Sequence, residues 1–142
     1  MASNFKAAGI LLEHDGKFLV IKENRRGKVV WNIPGGKCEQ GESLKACALR
    51  EFQEETQLVC PSEVLTKQIA IDRYYVVFVV QVAERPDISQ FQPHDAQLEL
   101  QWVDTSINKS ECHYLLQMAL RKVPTYLSLM SIPYIPDDNT LL

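Results

Sequence analysis

Residues 35–58 read GGKCEQGESLKACALREFQEETQL, a glycine-rich loop running straight into a helix. Ser43 is placed to cap that helix, and Leu44, Cys47, Ala48 and Phe52 recur at helical spacing. At about 100° per residue, Leu44, Cys47 and Ala48 define one apolar stripe. Glu51 and Glu55 fall on the same stripe, and Glu54 lands just beside it. The core-facing side of the helix therefore starts apolar and ends in carboxylates. An ordinary amphipathic helix keeps its acids on the far face.

Acids at i, i+3 and i+4 repel one another by a few tenths of a kcal/mol per pair when exposed, and by more when partly buried. Arg50 is adjacent in sequence but points roughly a quarter turn away, so it cannot serve all three. A divalent cation could. Oxygen ligands without a His or Cys cluster favour magnesium, or manganese, over zinc. A solvated acidic face would be the default for such a run of acids alone. The loop before it shifts the balance, because Gly35, Gly36 and Gly41 let backbone approach a ligand closely. Glu42 can pair with Arg50 and brace the loop against the helix.

Gly36, five residues, Glu42, seven residues, then Arg50-Glu51-Phe52-Gln53-Glu54-Glu55 resembles the signature box of the Nudix hydrolases. The entry Trp31-Asn32-Ile33-Pro34-Gly35-Gly36 is similar to the W-x-x-P-G-G lead-in of many members. Every charged position of the box matches. One position departs: the glycine that usually ends the helix in a left-handed conformation is Gln57, followed by the usual apolar residue, Leu58. Glutamine there costs about 1 kcal/mol or lets the helix run on. The box spans 23 of 142 residues.

The rest of the chain bounds the answer. Its length is that of one domain, residues 1–142, with 124–142 read as an irregular C-terminal tail. A net charge of −3 gives no electrostatic case for bulk nucleic-acid or anionic-membrane binding. No apolar run is long enough to span a bilayer, and the start of the chain is interrupted too soon by Glu13 to read as a secretory signal. Cys38, Cys47, Cys60 and Cys112 show no metal-site spacing and read as reduced thiols of a cytoplasmic protein.

In chain order, residues 7–12 and 18–22 read as strands around an Asp15-Gly16 hairpin turn. Residues 23–30 read as a polar loop whose Arg25, Arg26 and Lys28 are candidates for phosphate contact. Residues 64–71 read as a strand, and 74–82 as the strongest, most central one. Residues 98–103 alternate as a half-buried strand. Ser110 is placed to cap a second helix over 110–122, closed by Arg121-Lys122. His113, alone on it, reads as structural. Tyr126, Leu127, Leu129, Met130 and Tyr134 suggest that the tail packs on the domain or a partner.

The pattern suggests a mixed sheet with helices on both faces, and the resemblance implies the same: a single Nudix α/β/α sandwich. The resemblance further implies Glu51, Glu54 and Glu55 as Mg²⁺ (or Mn²⁺) ligands with the Gly35 carbonyl. Glu51 is also a possible base, and Glu42 and Arg50 are structural partners of the catalytic set. An acid before the late strand would complete the site. Asp95 and Glu99 are the candidates, Glu99 being carried as a ligand, while Gln97 stands where a Glu might be expected. Asn32 resembles a base-reading position of MutT-type enzymes, and Tyr74 or Tyr75 a base-stacking position of diadenosine polyphosphate hydrolases. The implied reaction is hydrolysis of a nucleoside diphosphate linked to another moiety. A MutT-like triphosphate substrate comes first, then dinucleoside polyphosphates or nucleotide sugars. A non-catalytic nucleotide-binding module and an RNA-end-processing enzyme are the rivals. The expected partner is a small nucleotide, and the expected state a monomer or homodimer.

Overall fold

The computed structural model describes residues 5–130. Strand β1 (Ala7–His14) turns through Asp15 and Gly16, at φ 49° and 77°, into β2 (Lys17–Arg25). This is the hairpin that an Asp-Gly pair predicts, since a primed turn needs both central residues in the left-handed region. Strand β2 runs past its expected end. Arg26 and Gly27, at φ 56° and 87°, make a second tight turn into β3 (Lys28–Asn32). The polar loop expected over 23–30 is thus a hairpin tip, with Arg25 facing Lys28 and Asn24 Oδ1 accepting the Gly27 N–H at 2.8 Å. Its charges hid the strand pattern.

β4 (Gly35–Lys37), α1 (Leu44–Thr56), β5 (Gln68–Ala70), β6 (Tyr75–Gln81), β7 (Gln97–Val103) and α2 (Tyr114–Met130) follow. β1 and β6 run parallel from Ala7↔Tyr75 to Glu13↔Gln81 and form the middle of a mixed sheet. The spatial order is β3-β2-β1-β6-β5, with β4 paired to β1 and β7 to β2. Alternation along the central strands supplies both cores. Ala8, Ile10 and Leu12 of β1 and Val76, Phe78 and Val80 of β6 pack with Cys47, Ala48 and Phe52 of α1. Leu11, Val77 and Val79 point to the other side, against Leu116, Ala119, Leu120 and Val123 of α2. The fold is the expected α/β/α sandwich. Phe52, 1% exposed, anchors α1, and truncating it to Ala costs about 3–5 kcal/mol.

Three local expectations are corrected. The strand over 64–71 shrinks to β5, preceded by a single 3-10 turn (Ser62–Val64); β5 pairs only with β6, at the sheet edge. The second helix starts at Tyr114. Asn108, not Ser110, is the cap, and it caps a separate 3-10 turn (Lys109–Glu111). His113 Nδ1 then accepts the Leu115 N–H at 3.2 Å, as a capping side chain would. The helix also continues through Pro124, which the sequence reading placed in an irregular tail. An interior proline costs about 3 kcal/mol, and burial of Val123 and Leu127 against the sheet offsets it. The remaining tail residues, Tyr134 among them, lie outside the described residues.

The cysteine reading is corrected too. Cys38 and Cys47 form a disulfide with Cα atoms 5.1 Å apart, while Cys60 and Cys112 are free. Gly41, at φ 82°, folds the loop back so that Cys38 meets the helix. Neighbours of this kind are set by the loop path, which spacing does not reveal. No helix of the described residues is long and apolar enough to cross a membrane.

Candidate active site

Helix α1 starts with Ser43, whose Oγ accepts the Ala46 N–H at 3.1 Å. Two turns on, Arg50 is the hub of the loop–helix junction. Its Nε donates to Glu42 Oε2 at 2.7 Å and its Nη2 to Glu42 Oε1 at 3.0 Å, a two-pronged pair, with Nη2 also donating to the Lys37 carbonyl. Arg50 Nη1 donates to Glu51 Oε1 at 3.0 Å and Glu54 Oε2 at 3.2 Å. As its quarter-turn offset requires, the guanidinium does not serve all three helix acids: it reaches Glu51 and Glu54. It does not reach Glu55. The hydrogen bonds from Arg50, helped by the Glu39 N–H, hold the Glu42 carboxyl down at about 2. Arg50 is raised above its already high value, chiefly by Glu42.

Glu55 is in the opposite state. It is half-buried, and burial pushes it up to about 8; the nearby charges of Glu23, Glu51 and Glu54 push the same way. The Gly35 N–H, donated to Glu55 Oε1 at 2.7 Å, only partly offsets this. Gln97 Nε2 donates to Glu55 Oε2 at 3.2 Å. No ion pair to Glu55 occurs among the described residues. Glu51 is raised as well, first by burial, with Arg50 opposing. The glycines make room for these carboxylates. A methyl group at Gly36 would lie 2.6 Å from Glu51 Oε2, and one at Gly35 would meet the Tyr75 hydroxyl and, at 2.6 Å, the Ala8 carbonyl. At Gly35 the obstacle is β1 backbone, so a side chain there requires the strand to move, whereas at Gly36 only the Glu51 carboxylate has to give way.

Glu51 and Glu55 form the floor of a cavity of about 1000 Å³ whose walls carry Arg25, Arg26, Lys28 and Lys37. The three basic residues picked from the sequence thus share one cavity with two of the three helix acids. Glu54 is 59% exposed and sits at the edge, held by Arg50. The donor set on α1 is hard oxygen: half-buried carboxylates beside a glycine-rich backbone, with Cys112 and His113 elsewhere on the cavity lining. It fits Mg²⁺ or Mn²⁺. Gly35 joins the site through its N–H on Glu55.

Other sequence candidates land elsewhere. Glu99 pairs with Lys22 at 3.8 Å across β7 and β2 and does not line the cavity. Asp95 is exposed at φ 46° in the tight turn that leads into β7. Asn32 is 6% exposed and its amide is engaged internally: Nδ2 donates to Glu23 Oε1 at 2.9 Å, and Oδ1 accepts the Ile33 N–H. It stabilises buried Glu23 instead of offering an edge to a base. Tyr74, 51% exposed, lines an adjoining cavity of about 280 Å³ with Asp72, His113 and Tyr114. Tyr75 is buried.

The sequence reading missed Glu23, Lys37 and the His113–Tyr114 ring pair, whose centroids are 4.8 Å apart. Glu23 was hidden by the polar-loop reading of β2. The rings were hidden because they stand at a helix start whose position was misjudged.

The NUDIX domain family matches residues 4–111. Among curated proteins, the chain is 34% identical over 93 residues to phosphatase NudJ of Escherichia coli K12. That alignment covers 63% of this chain and 61% of NudJ, so the chain spans about three fifths of the curated relative's length. Among solved structures it is similar to a C. elegans Ap4A hydrolase, with a TM-score of 0.65 and 19% identity, covering 87% of this chain and 98% of that one. A NUDIX hydrolase from Nitrosomonas europaea gives a TM-score of 0.64 at 22% identity, covering 96% and 99%. At such identities the structural likenesses speak to fold.

Proposed function

The chain belongs to the NUDIX family, and on that premise we propose that it is a divalent-cation-dependent pyrophosphohydrolase of nucleoside diphosphate-linked compounds, with a nucleoside triphosphate as the first substrate to test. The observation that carries this reading is the cavity's polarity. Its floor holds a half-buried carboxylate, Glu55, that pairs with no cation among the described residues, and its walls hold four basic side chains. An anionic polyphosphate brought in with a cation satisfies both at once.

Bound Mg²⁺ or Mn²⁺ would neutralise phosphate charge and lower the pKa of a coordinated water. Glu51, Glu55 and edge-lying Glu54 are the residues to hold it, with the Gly35 carbonyl as a further oxygen. Arg25, Arg26 and Lys28 grip the distal phosphates. Water oxygen bonds to one phosphorus as the bond from that phosphorus to the bridging oxygen breaks; the leaving phosphate keeps the electron pair, and the water proton passes to a carboxylate such as Glu51. Glu42 and Arg50 keep the loop in register with the helix.

A dinucleoside polyphosphate is the second reading. Tyr74 and Tyr114 are 51% and 53% exposed beside the smaller cavity, where exposed aromatic surface is available to a base. The test is product analysis by chromatography. The chain, with Mg²⁺, is incubated with ordinary and oxidised triphosphates, ADP-ribose, nucleotide sugars and diadenosine tetraphosphate, beside Glu54→Gln. Metal-dependent cleavage lost in the variant supports the hydrolase and names its substrate. Tight binding without cleavage of any compound would replace it with the binding-module reading.

A further inference from the structure

Gln57 occupies the position where the box pattern has glycine, and it keeps the glycine's backbone. It sits at φ 66°, ψ 13°, with its N–H on the Gln53 carbonyl, so α1 ends there and does not run on. A β-carbon in the left-handed region is unfavourable. The side chain has a use that glycine could not supply. Its Oε1 accepts the Gln92 N–H at 2.9 Å and its Nε2 donates to the Gln92 carbonyl at 2.8 Å. One amide thus clasps both polar groups of one backbone unit, as a neighbouring strand would.

The clasp continues into the site. Gln57 Nε2 lies 3.0 Å from His94 Nδ1, and His94 Nε2 donates to the Glu54 carbonyl at 2.8 Å, an acceptor in the last turn of α1. His94 and Gln97 then exchange both backbone hydrogen bonds, at 3.0 and 2.7 Å, across the turn made by Asp95 and Ala96. Asn24 N–H donates to the Ala96 carbonyl, tying the turn to β2. Gln97, next in line, puts its amide on Glu55 Oε2.

We infer that Gln57 is a positioning residue: it latches the 92–97 segment to the end of α1 and so sets the Gln97 amide that orients Glu55 toward a bound cation. The consequence rests on the proposed function, since Glu55 matters through the metal it would hold. A helix end and an active-site carboxylate are thereby coupled through the 92–97 segment, which His94 and Gln97 also tie to the last turn of α1.

The experiment compares the full chain with Gln57→Gly, Gln57→Asn, Gln97→Ala and the Gln57→Gly/Gln97→Ala double variant. Glycine and asparagine both accept the left-handed backbone, but neither reaches Gln92. The readouts are thermal melting, amide exchange at Gln92 and Gln97, Mg²⁺ affinity by calorimetry, and kcat and KM on whichever compound the wild type cleaves. Gln57→Gly is expected to melt at or above the wild-type temperature while exchange at Gln92 quickens about tenfold or more. Mg²⁺ binding should weaken about fivefold or more, and kcat should fall more than KM changes. Gln97→Ala should add nothing in the Gln57→Gly background.

Unchanged Mg²⁺ affinity in Gln57→Gly overturns the inference, as does a loss of affinity that tracks a lowered melting temperature or adds fully to that of Gln97→Ala. A wild type that binds Mg²⁺ but cleaves nothing sinks the hydrolase reading alone, and the latch is then decided by exchange and metal affinity.

Discussion

Glu42 and Glu55 stand at opposite ends of one short motif and in opposite electrostatic states. Glu42 meets a guanidinium built into the chain and is held at about 2. Glu55, facing the cavity, meets two N–H donors and, among the described residues, no cation, and burial lifts it to about 8. The first corner is complete without a ligand and serves structure. The second is costly as it stands, and the cost is relieved only by a proton or a metal ion. Both residues are glutamates of one box; their surroundings divide the roles.

The harshest way to break this contrast is to remove the uncompensated acid. Glu55→Gln should lower turnover on the order of 10³-fold while the metal-free protein melts no lower than wild type at pH 7, because a carboxyl already mostly protonated there is replaced by a neutral amide of the same shape. Equal losses of activity and melting temperature would erase the distinction between the two corners. The complementary change, Arg50→Ala, should do the reverse in kind. Glu42, Glu51 and Glu54 lose their shared cation, the melting temperature drops by about 5 °C or more, and activity falls with it.

A gentler probe is pH. Glu42, lowered from 4.5, contributes stability that is present above about 4.5 and lost as pH falls through about 2. Glu55, raised from 4.5, works the other way: its contribution is full below about 4.5 and lost as pH rises through about 8. Mg²⁺ should therefore raise the melting temperature more at pH 8.5 than at pH 5.5, since it displaces the proton. A metal effect independent of pH would contradict the Glu55 assignment. The smallest effect belongs to Glu99→Gln, which breaks only an exposed pair with Lys22. Turnover should stay within about twofold, as exposed pairs contribute little. A large loss would return Glu99 to the site.

What was legible in the sequence was what one helix and one hairpin encode locally. The wheel placed Glu51 and Glu55 together and Glu54 beside them, because 3.6-residue periodicity survives folding. Asp15-Gly16 declared its turn. The Arg26-Gly27 turn did not, since β2 ends in charges and a solvated strand tip loses the apolar alternation on which strand recognition depends. Long-range partners were less visible still. That Asn32 caps Glu23, that Glu99 faces Lys22, and that Cys38 meets Cys47 all depend on loop paths and strand register. The Gln57 departure was visible as a departure, but its partner, 35 residues away, was not.

The most direct measurement is calorimetric titration of the metal-free chain with Mg²⁺ at pH 7, in two buffers of different ionisation enthalpy, with Glu55→Gln beside it. Wild type is predicted to release about one proton on binding, because a carboxyl raised to about 8 is mostly protonated at that pH. The release should vanish near pH 10 and in Glu55→Gln. Mg²⁺ binding at pH 7 without proton release, or with the same release in the variant, would contradict the claim that Glu55 is the box's waiting cation site.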